Sequence, residues 1–242
     1  MGNQIDYLPD KTRAIVIGVG QKGKGLLSSI GGTPQASIYH DYLDKLEAYP
    51  YDPGIEDKLP DQAMVFLIGS ISHPDFKEAR ELILNHKPFF LWSIGIRSQG
   101  IERNHVFQIG KREGSLITGA RDSITLLEAI YQGHSGGIIG YDLSDTVKVC
   151  GGRQLSYGLL EPDFSNYESA IKKLLKDNNQ TLLQARGVIL MVQFNSQAFS
   201  LADLDLISNH LQSSVGKKTE CYWTAVEVPR LLPDLRALIL IV

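Results

Sequence analysis

Cysteine is nearly missing from this chain: Cys150 and Cys221 are the only two in 242 residues. They show no metal-ligand spacing, so they read as two reduced, packed thiols in a cytoplasmic protein, and a disulfide-stapled scaffold is excluded. A surplus of one charge is missing too. The formal net charge is −3 and the pI about 6.1, which leaves no electrostatic footprint for nucleic acid or an anionic membrane. Long apolar runs are lacking: the longest, Ala237 to Val242, falls far short of the ~20 residues that span a bilayer. Met1 to Lys11 has no apolar signal-peptide core, and Asp6 stands where a myristoylation start needs Ser or Thr. Internal repeats and low-complexity tracts are absent. A hydrophobic content of 43% then describes an ordinary globular chain, long enough for one large domain or two small ones.

The stretch that stands out is Ile15-Val16-Ile17-Gly18-Val19-Gly20-Gln21-Lys22-Gly23-Lys24-Gly25-Leu26-Leu27. An apolar strand runs into a glycine-rich loop, and Leu26–Leu27 open a helix. Glycines permit positive φ and close ligand approach, while free N–H groups at a helix start favour an anion, so the pattern predicts a phosphate site. Gly18 to Gly23 satisfies the dinucleotide motif G-x-G-x-x-G, with Asp41 near the ribose-binding position. Gly18 to Lys24 matches most of a P-loop, but Gly25 replaces its magnesium-binding Ser or Thr. Lys22 and Lys24 add positive charge nearby. The loop alone leaves these readings open.

Along the chain, Arg13–Gly18, Ala36–His40, Ala63–Ile68, Pro88–Ile94 and Ser115–Thr118 read as strands, with Val106–Ile109 a further short one. Helices are expected over Lys24–Ile30, from Phe76 to Ile83, and over Ser123–Gln132. Asp41 to Gln62, with Pro50, Pro53, Gly54 and Pro60, reads mostly as loop, and Tyr39, Tyr42, Tyr49 and Tyr51 are expected to pack it. Trp92 and Trp223 are expected in the core, and His73, His105 and His134 on the surface or in loops. Strand and helix alternation predicts an α/β half, a mostly parallel Rossmann-like sheet with flanking helices. From about residue 140 the order changes to a helix over Asp142–Val149, a strand over Gln154–Leu160, a helix over Tyr167–Lys176, and a strand over Gly187–Phe194. A helix over Leu201–Leu211 and strands over Cys221–Val226 and Leu235–Val242 complete a smaller α+β mixed-sheet domain. The expected division is 1–135, ending in a central helix, and 136–242.

Several segments resemble the FtsZ/tubulin superfamily in the same order. Ala185-Arg186-Gly187-Val188-Ile189-Leu190 followed by Phe199-Ser200-Leu201-Ala202-Asp203-Leu204 is similar to its second-domain strand and helix. Trp223–Val226 and Leu231–Leu240 resemble the closing strands, Asp61–Phe66 and Ser115–Thr118 two first-domain strands, and Leu126–Ala129 the start of the central helix. The resemblance implies a two-domain, FtsZ-like fold and a GTP site. Its phosphate-side residues would be Gly18, Gly20, Gln21, Lys22, Gly23, Gly69 and Ser70. It also implies that Asp142 and Asp145, in Gly140-Tyr141-Asp142-Leu143-Ser144-Asp145, take the place of a pair that acts on the nucleotide of the next subunit. Two carboxylates three residues apart share one face of a helical turn and suit water activation. They equally suit a helix N-terminus, as cap and first-turn acid.

Other positions depart from the family pattern. Its second glycine loop is replaced by Gly69-Ser70-Ile71-Ser72-His73-Pro74, in which Pro74 offers no N–H and Ile71 crowds a phosphate. Ile130 and His134 stand where the family reads guanine. No adaptor-binding tail follows the last strand, so a division-type membrane link is not expected. The implied function is a cytoplasmic assembly or scaffold protein with a degenerate nucleotide site, self-associating or docking on a related filament. A GTP-binding polymerising GTPase and an NAD(P)-binding oxidoreductase remain as alternatives.

Overall fold

The computed structural model describes residues 13–30, 46–97, 112–135, 143–162, 164–195, 200–228 and 234–242. In the first half, β1 (Ala14–Val19) leads straight into α1 (Gly20–Ile30), followed by β2 (Glu47–Pro50) and β3 (Met64–Ser70). Next come α2 (Pro74–Asn85), β4 (Phe90–Ile96), β5 (Glu113–Thr118) and α3 (Ala120–Ser135), then α4 (Leu143–Cys150) and the short β6 (Arg153–Gln154). The strands form one sheet in the order β2-β1-β3-β4-β5-β6, with every pair parallel.

Parallel strands covered on both faces carry apolar residues throughout. β1 and β4 are accordingly buried at every position. Side chains alternate between faces with period two. Ile15, Ile17, Val65, Leu67 and Leu91 pack with Phe76, Ala79 and Ile83 of α2. Val16, Met64, Phe66, Trp92 and Ile94 turn the other way, toward Leu126, Leu127 and Ile130 of α3.

The second half contains β7 (Ser156–Leu160), α5 (Tyr167–Asp177), α6 (Asn179–Gln184), β8 (Gly187–Phe194), α7 (Leu201–Ser214), β9 (Glu220–Glu227) and β10 (Leu235–Ile241). Its sheet order is β7-β10-β8-β9; β10 is antiparallel to β7 and β8, whereas β8 and β9 are parallel. Ile189, Met191, Leu238 and Leu240 join the cluster around α3, so that helix lies between the two sheets. The opposite face, with Leu190, Val192, Ala237 and Ile239, packs on Ile171 and Leu175 of α5 and Leu204, Ile207 and Leu211 of α7. Arg236 ties the halves: its guanidinium donates to Glu161 at 2.8 Å, Gln193 at 3.2 Å and Glu128 of α3 at 3.4 Å.

The structure corrects several sequence expectations. The segment 41–62, read as loop, contains β2 paired with β1 and a 3₁₀ turn at Ile55–Lys58. A four-residue edge strand that is half-exposed, Glu-Ala-Tyr-Pro, leaves no apolar run to detect. Tyr51 is buried with Ile55 beneath it. Gln154–Leu160 is not one strand: Gln154 still pairs with Ser115 of the first sheet, while Ser156 pairs with Ile241 of the second. The final two strands, neighbours in sequence, are separated by β8. Trp92 is fully buried, but Trp223 only in part. Both cysteines are free thiols. The expected strands at 36–40 and 106–109 lie outside the described residues.

α7 begins with a reciprocal cap. The Asp203 N–H donates to Ser200 Oγ, and the Ser200 N–H donates to Asp203 Oδ2 at 2.8 Å. Tyr167 of α5 donates its hydroxyl to the same carboxylate. The Ser200 hydroxyl, then that of Tyr167, hold Asp203 below its ordinary value of 3.8. Because the folded value is depressed, this stabilisation is complete above the ordinary value and is lost as pH falls through the lowered one. Ser200→Ala is expected to lower stability by about 1 kcal/mol. Asp203→Asn is expected to cost more at neutral pH than in acid, as read from urea midpoints.

Candidate functional site

In open α/β sheets ligands bind beyond the carboxyl ends of the strands. Here that edge is built by the β1–α1 junction, the turn between β3 and α2, and the ends of β4 and β5. Register places Val19 beside Gly69, Gly69 beside Gly95, and Gly95 beside Ile117. Gly18, Gly20, Gly69 and Ser70 are therefore brought to one edge. Tyr157 of the second sheet reaches it as well, donating at 2.7 Å to the Thr118 hydroxyl; burial pushes this phenol above its ordinary value.

Gln21, Lys22 and Gly23 do not lie in a loop, as the glycine pattern suggested, because α1 starts at Gly20. Gln21 and Lys22 are exposed on its first turn. Gly23 is buried where a Cβ would stand 2.3 Å from the Ile68 carbonyl oxygen and 3.0 Å from the Gly18 backbone. A Cβ on Gly69 would stand 2.6 Å from the Val19 carbonyl oxygen. These glycines let helix and strands approach backbone to backbone. Gly20 alone in this junction has positive φ, +63°. The His73 ring lies against it, with Cδ2 2.6 Å from where a Cβ would be.

The second loop folds back on the same edge. The His73 N–H donates to the Ser70 carbonyl at 2.9 Å, and the Ser70 and Ser72 hydroxyls are 2.9 Å apart. Ile71 covers the end of β4: its Cγ2 is 2.1 Å from the Cβ position of Gly95. The start of α2 is closed from within. Pro74 has no N–H, Asp75 donates its N–H to His73 Nδ1 at 3.3 Å, and Phe76 donates to the His73 carbonyl at 3.0 Å.

His73, expected on the surface or in a loop, is thus half-buried as the N-cap of α2 and the cover of Gly20. The signal for this was His-Pro directly before an apolar helical pattern, a cap followed by Pro at the first helical position. Asp145 lies half-buried in the first turn of α4, which packs on β5 and β8. Asp142 lies outside the described residues. Ile130 is fully buried in the core around α3, and the His134 side chain and Asp41 are outside the described set. Among the described residues no group of His, Cys, Asp and Glu is arranged to hold a metal, and no helix is long and apolar enough to cross a membrane.

No protein-family model matches the sequence, and no curated protein is similar to it in sequence. Solved structures are similar along nearly the whole chain. An empty FtsZ dimer of M. jannaschii superposes with a TM-score of 0.62 at 11% identity, covering 96% of this chain and 88% of that one. The chain has the FtsZ-like two-domain fold. CetZ from Methanosaeta thermophila gives 0.61 at 14% identity, covering 95% and 86%. TubZ of Bacillus thuringiensis serovar israelensis, in a GTPγS-form protofilament, gives 0.56 at 12% identity, covering 97% and 88%. Within the FtsZ-like fold, α3 is the central helix and the β1–α1 and β3–α2 junctions form one rim.

Proposed function

We propose that the chain is a divergent, cytoplasmic member of the FtsZ/tubulin superfamily that assembles, with itself or on a related filament, without hydrolysing a nucleotide. The shared fold supports the assembly part, since similar structures include an FtsZ dimer and a TubZ protofilament. One observation carries the rest: the first N–H groups of α2 are spent within the chain, and His73 covers the one left-handed glycine of α1. A phosphate in this rim needs those donors and that opening. The residues present therefore do not fit a nucleoside triphosphate, and no catalytic step is assigned to Asp142 or Asp145. In this reading Gly18, Gly23 and Gly69 are packing residues, and the division near residue 135 separates the sheet that lost the nucleotide from the one that completes the assembly unit.

Thermal unfolding with excess GTP, GTPγS or NAD(P), each with magnesium, tests the proposal. A ligand at 100 times its Kd adds about 2.7 kcal/mol, which raises the midpoint by about 5–10 °C in a chain of this length. The expected shift is none with any of them. A rise with GTP, together with phosphate release lost in Asp145→Ala, would establish the GTPase alternative. A rise with NAD(P) alone would establish the dinucleotide one.

A further inference from the structure

The end of the molecule opposite the glycine rim carries cations without acidic partners. α3 starts at the rim, beyond β5, and β8 runs back along it: Gln193 donates to the Glu128 carbonyl at 3.5 Å, and a Cβ on Gly133 would stand 2.6 Å from Met191 Sδ. β8 and its parallel partner β9 therefore begin at the opposite end, with Gly187 beside Glu220. Arg186, Lys217 and Lys218 gather at this base. The Glu220 N–H donates to the Arg186 carbonyl at 3.0 Å, and the Thr219 hydroxyl donates to the Ala185 carbonyl at 2.9 Å. The three side chains are exposed, and none has an acidic partner among the described residues. Glu220 acts on Lys148 of α4, whose ammonium the Tyr222 hydroxyl and then Glu220 hold above its ordinary value. Leu183, 55% exposed, is the large hydrophobic residue left open among the described residues. It belongs to the same patch, since a Cβ on Gly216 would stand 3.0 Å from its carbonyl oxygen.

At the outer corner of the rim the imbalance is reversed. Asp52 follows β2, and Asp75 and Glu78 lie at the start of α2. Asp52 accepts from the Gly54 N–H at 2.8 Å, Glu78 accepts from the Tyr51 hydroxyl at 3.2 Å, and Asp75 lies 3.8 Å from the His73 ring. None of the three meets a Lys or Arg among the described residues. Burial, then the charges of Glu78, Asp75 and Asp52, push the Tyr51 phenol up to about 12, so the three carboxylates act on one spot. Lys77 is taken by Glu81, and Lys22 and Lys24 belong to α1, which packs on the other face of the sheet.

We propose, on the self-assembly reading above, that the base of one copy docks on the acidic corner of the next, Arg186, Lys217 and Lys218 facing Asp52, Asp75 and Glu78, with Leu183 covered in the contact. The two patches differ and lie at opposite ends, so the contact is heterologous and repeats from copy to copy. A single exposed ion pair adds little, but a set of unpaired charges meeting its complement directs encounter and fixes the partner. A second copy is favoured over a lipid surface or a nucleic acid because the chain itself presents the matching carboxylates, which neither of those would use.

Sedimentation velocity of the full chain without nucleotide tests this contact. Assembly that weakens as salt rises is expected. Lys217→Glu/Lys218→Glu and Asp52→Lys/Glu78→Lys are each expected to raise the concentration of half-assembly at least about tenfold, or about 1.4 kcal/mol. Mixed in equal amounts the two variants are expected to assemble again, because a reversed base then meets a reversed corner and an unaltered base an unaltered corner. Leu183→Asp is expected to weaken assembly as well, which keeps the test open should a charge variant fold poorly. Charge variants that assemble like the unaltered chain, or no recovery on mixing, would overturn the contact and leave self-assembly standing. A chain that is monomeric at every concentration would overturn both. Assembly that appears only with an oligonucleotide or with phosphatidylserine vesicles would overturn the contact too, assigning the base to that polyanion.

Discussion

Arg80→Met is expected to destabilise the protein by about 3–5 kcal/mol, a large share of a normal folding free energy. Arg80 sits on the buried face of α2 with Phe76, Ala79 and Ile83. Its guanidinium grips Glu113, the first residue of β5, through two bonds of 2.8 and 3.0 Å, and the Ser93 hydroxyl donates to the same carboxylate at 2.7 Å. The side chains are 8% and 2% exposed, so neither charge has water to fall back on. Burial pushes the Glu113 carboxyl above its ordinary value, against the pull of Ser93 and Arg80. Without Arg80 the carboxylate is left unpaired in the interior, and it is the loss of one partner that costs most.

Two further results separate this from simple loss of packing. A folded-state value raised above the unfolded one gives stability that is present at low pH and lost as pH rises. The damage in Arg80→Met is therefore expected to be smaller in acid, where Glu113 is protonated, and to grow toward neutral pH. Arg80→Met/Glu113→Leu, which removes both charges, is expected to recover most of the loss, because apolar replacement of a whole buried pair is often neutral or better. Urea midpoints of the three proteins across pH decide it. Equal damage in single and double variants would show that shape, not charge, matters at this position.

Gly23→Ala and Gly25→Ala are expected to change stability in opposite directions, although only Lys24 separates the two positions in the same glycine-rich stretch. At Gly23 a methyl group would stand 2.3 Å from the Ile68 carbonyl oxygen and 3.0 and 3.1 Å from the Gly18 backbone, closer than ordinary van der Waals contact. Backbone atoms of a central strand cannot swing aside as a side-chain end can. The cost is expected at about 3 kcal/mol, the upper part of the range for overpacking. At Gly25 nothing lies within 4 Å of the added carbon, so Ala there is expected to stabilise α1 by about 0.5–1 kcal/mol through helix propensity. Thermal midpoints without any ligand test both. Had Gly23 been kept only for a ligand, its substitution would leave the ligand-free protein unchanged.

This contrast also shows what can and cannot be read in the sequence. Strands β1, β3, β4, β8 and β10 are covered on both faces, so their apolar runs mark them whatever surrounds them. β2 is a short, half-exposed edge, and only its partner β1 reveals it. The resemblance to the FtsZ/tubulin superfamily rests on strands and helices of that buried kind, and the FtsZ-like fold it implies is the fold found. The rim was far less legible. A glycine that admits a phosphate and a glycine that admits a carbonyl oxygen are the same letter, and the difference lies in Ile68 and Val19, distant in sequence from Gly23 and Gly69. His73 gave a local sign, its place before Pro74, but its contact with Gly20 is a tertiary fact.

Sedimentation velocity over a range of protein concentrations, with and without magnesium and GTPγS, tests the central claim most directly. The account predicts species that grow with concentration and are the same in both conditions. Assembly that appears only with the nucleotide would contradict it, and a chain that stays monomeric in both would rule out self-assembly and reduce the account to docking on a related filament.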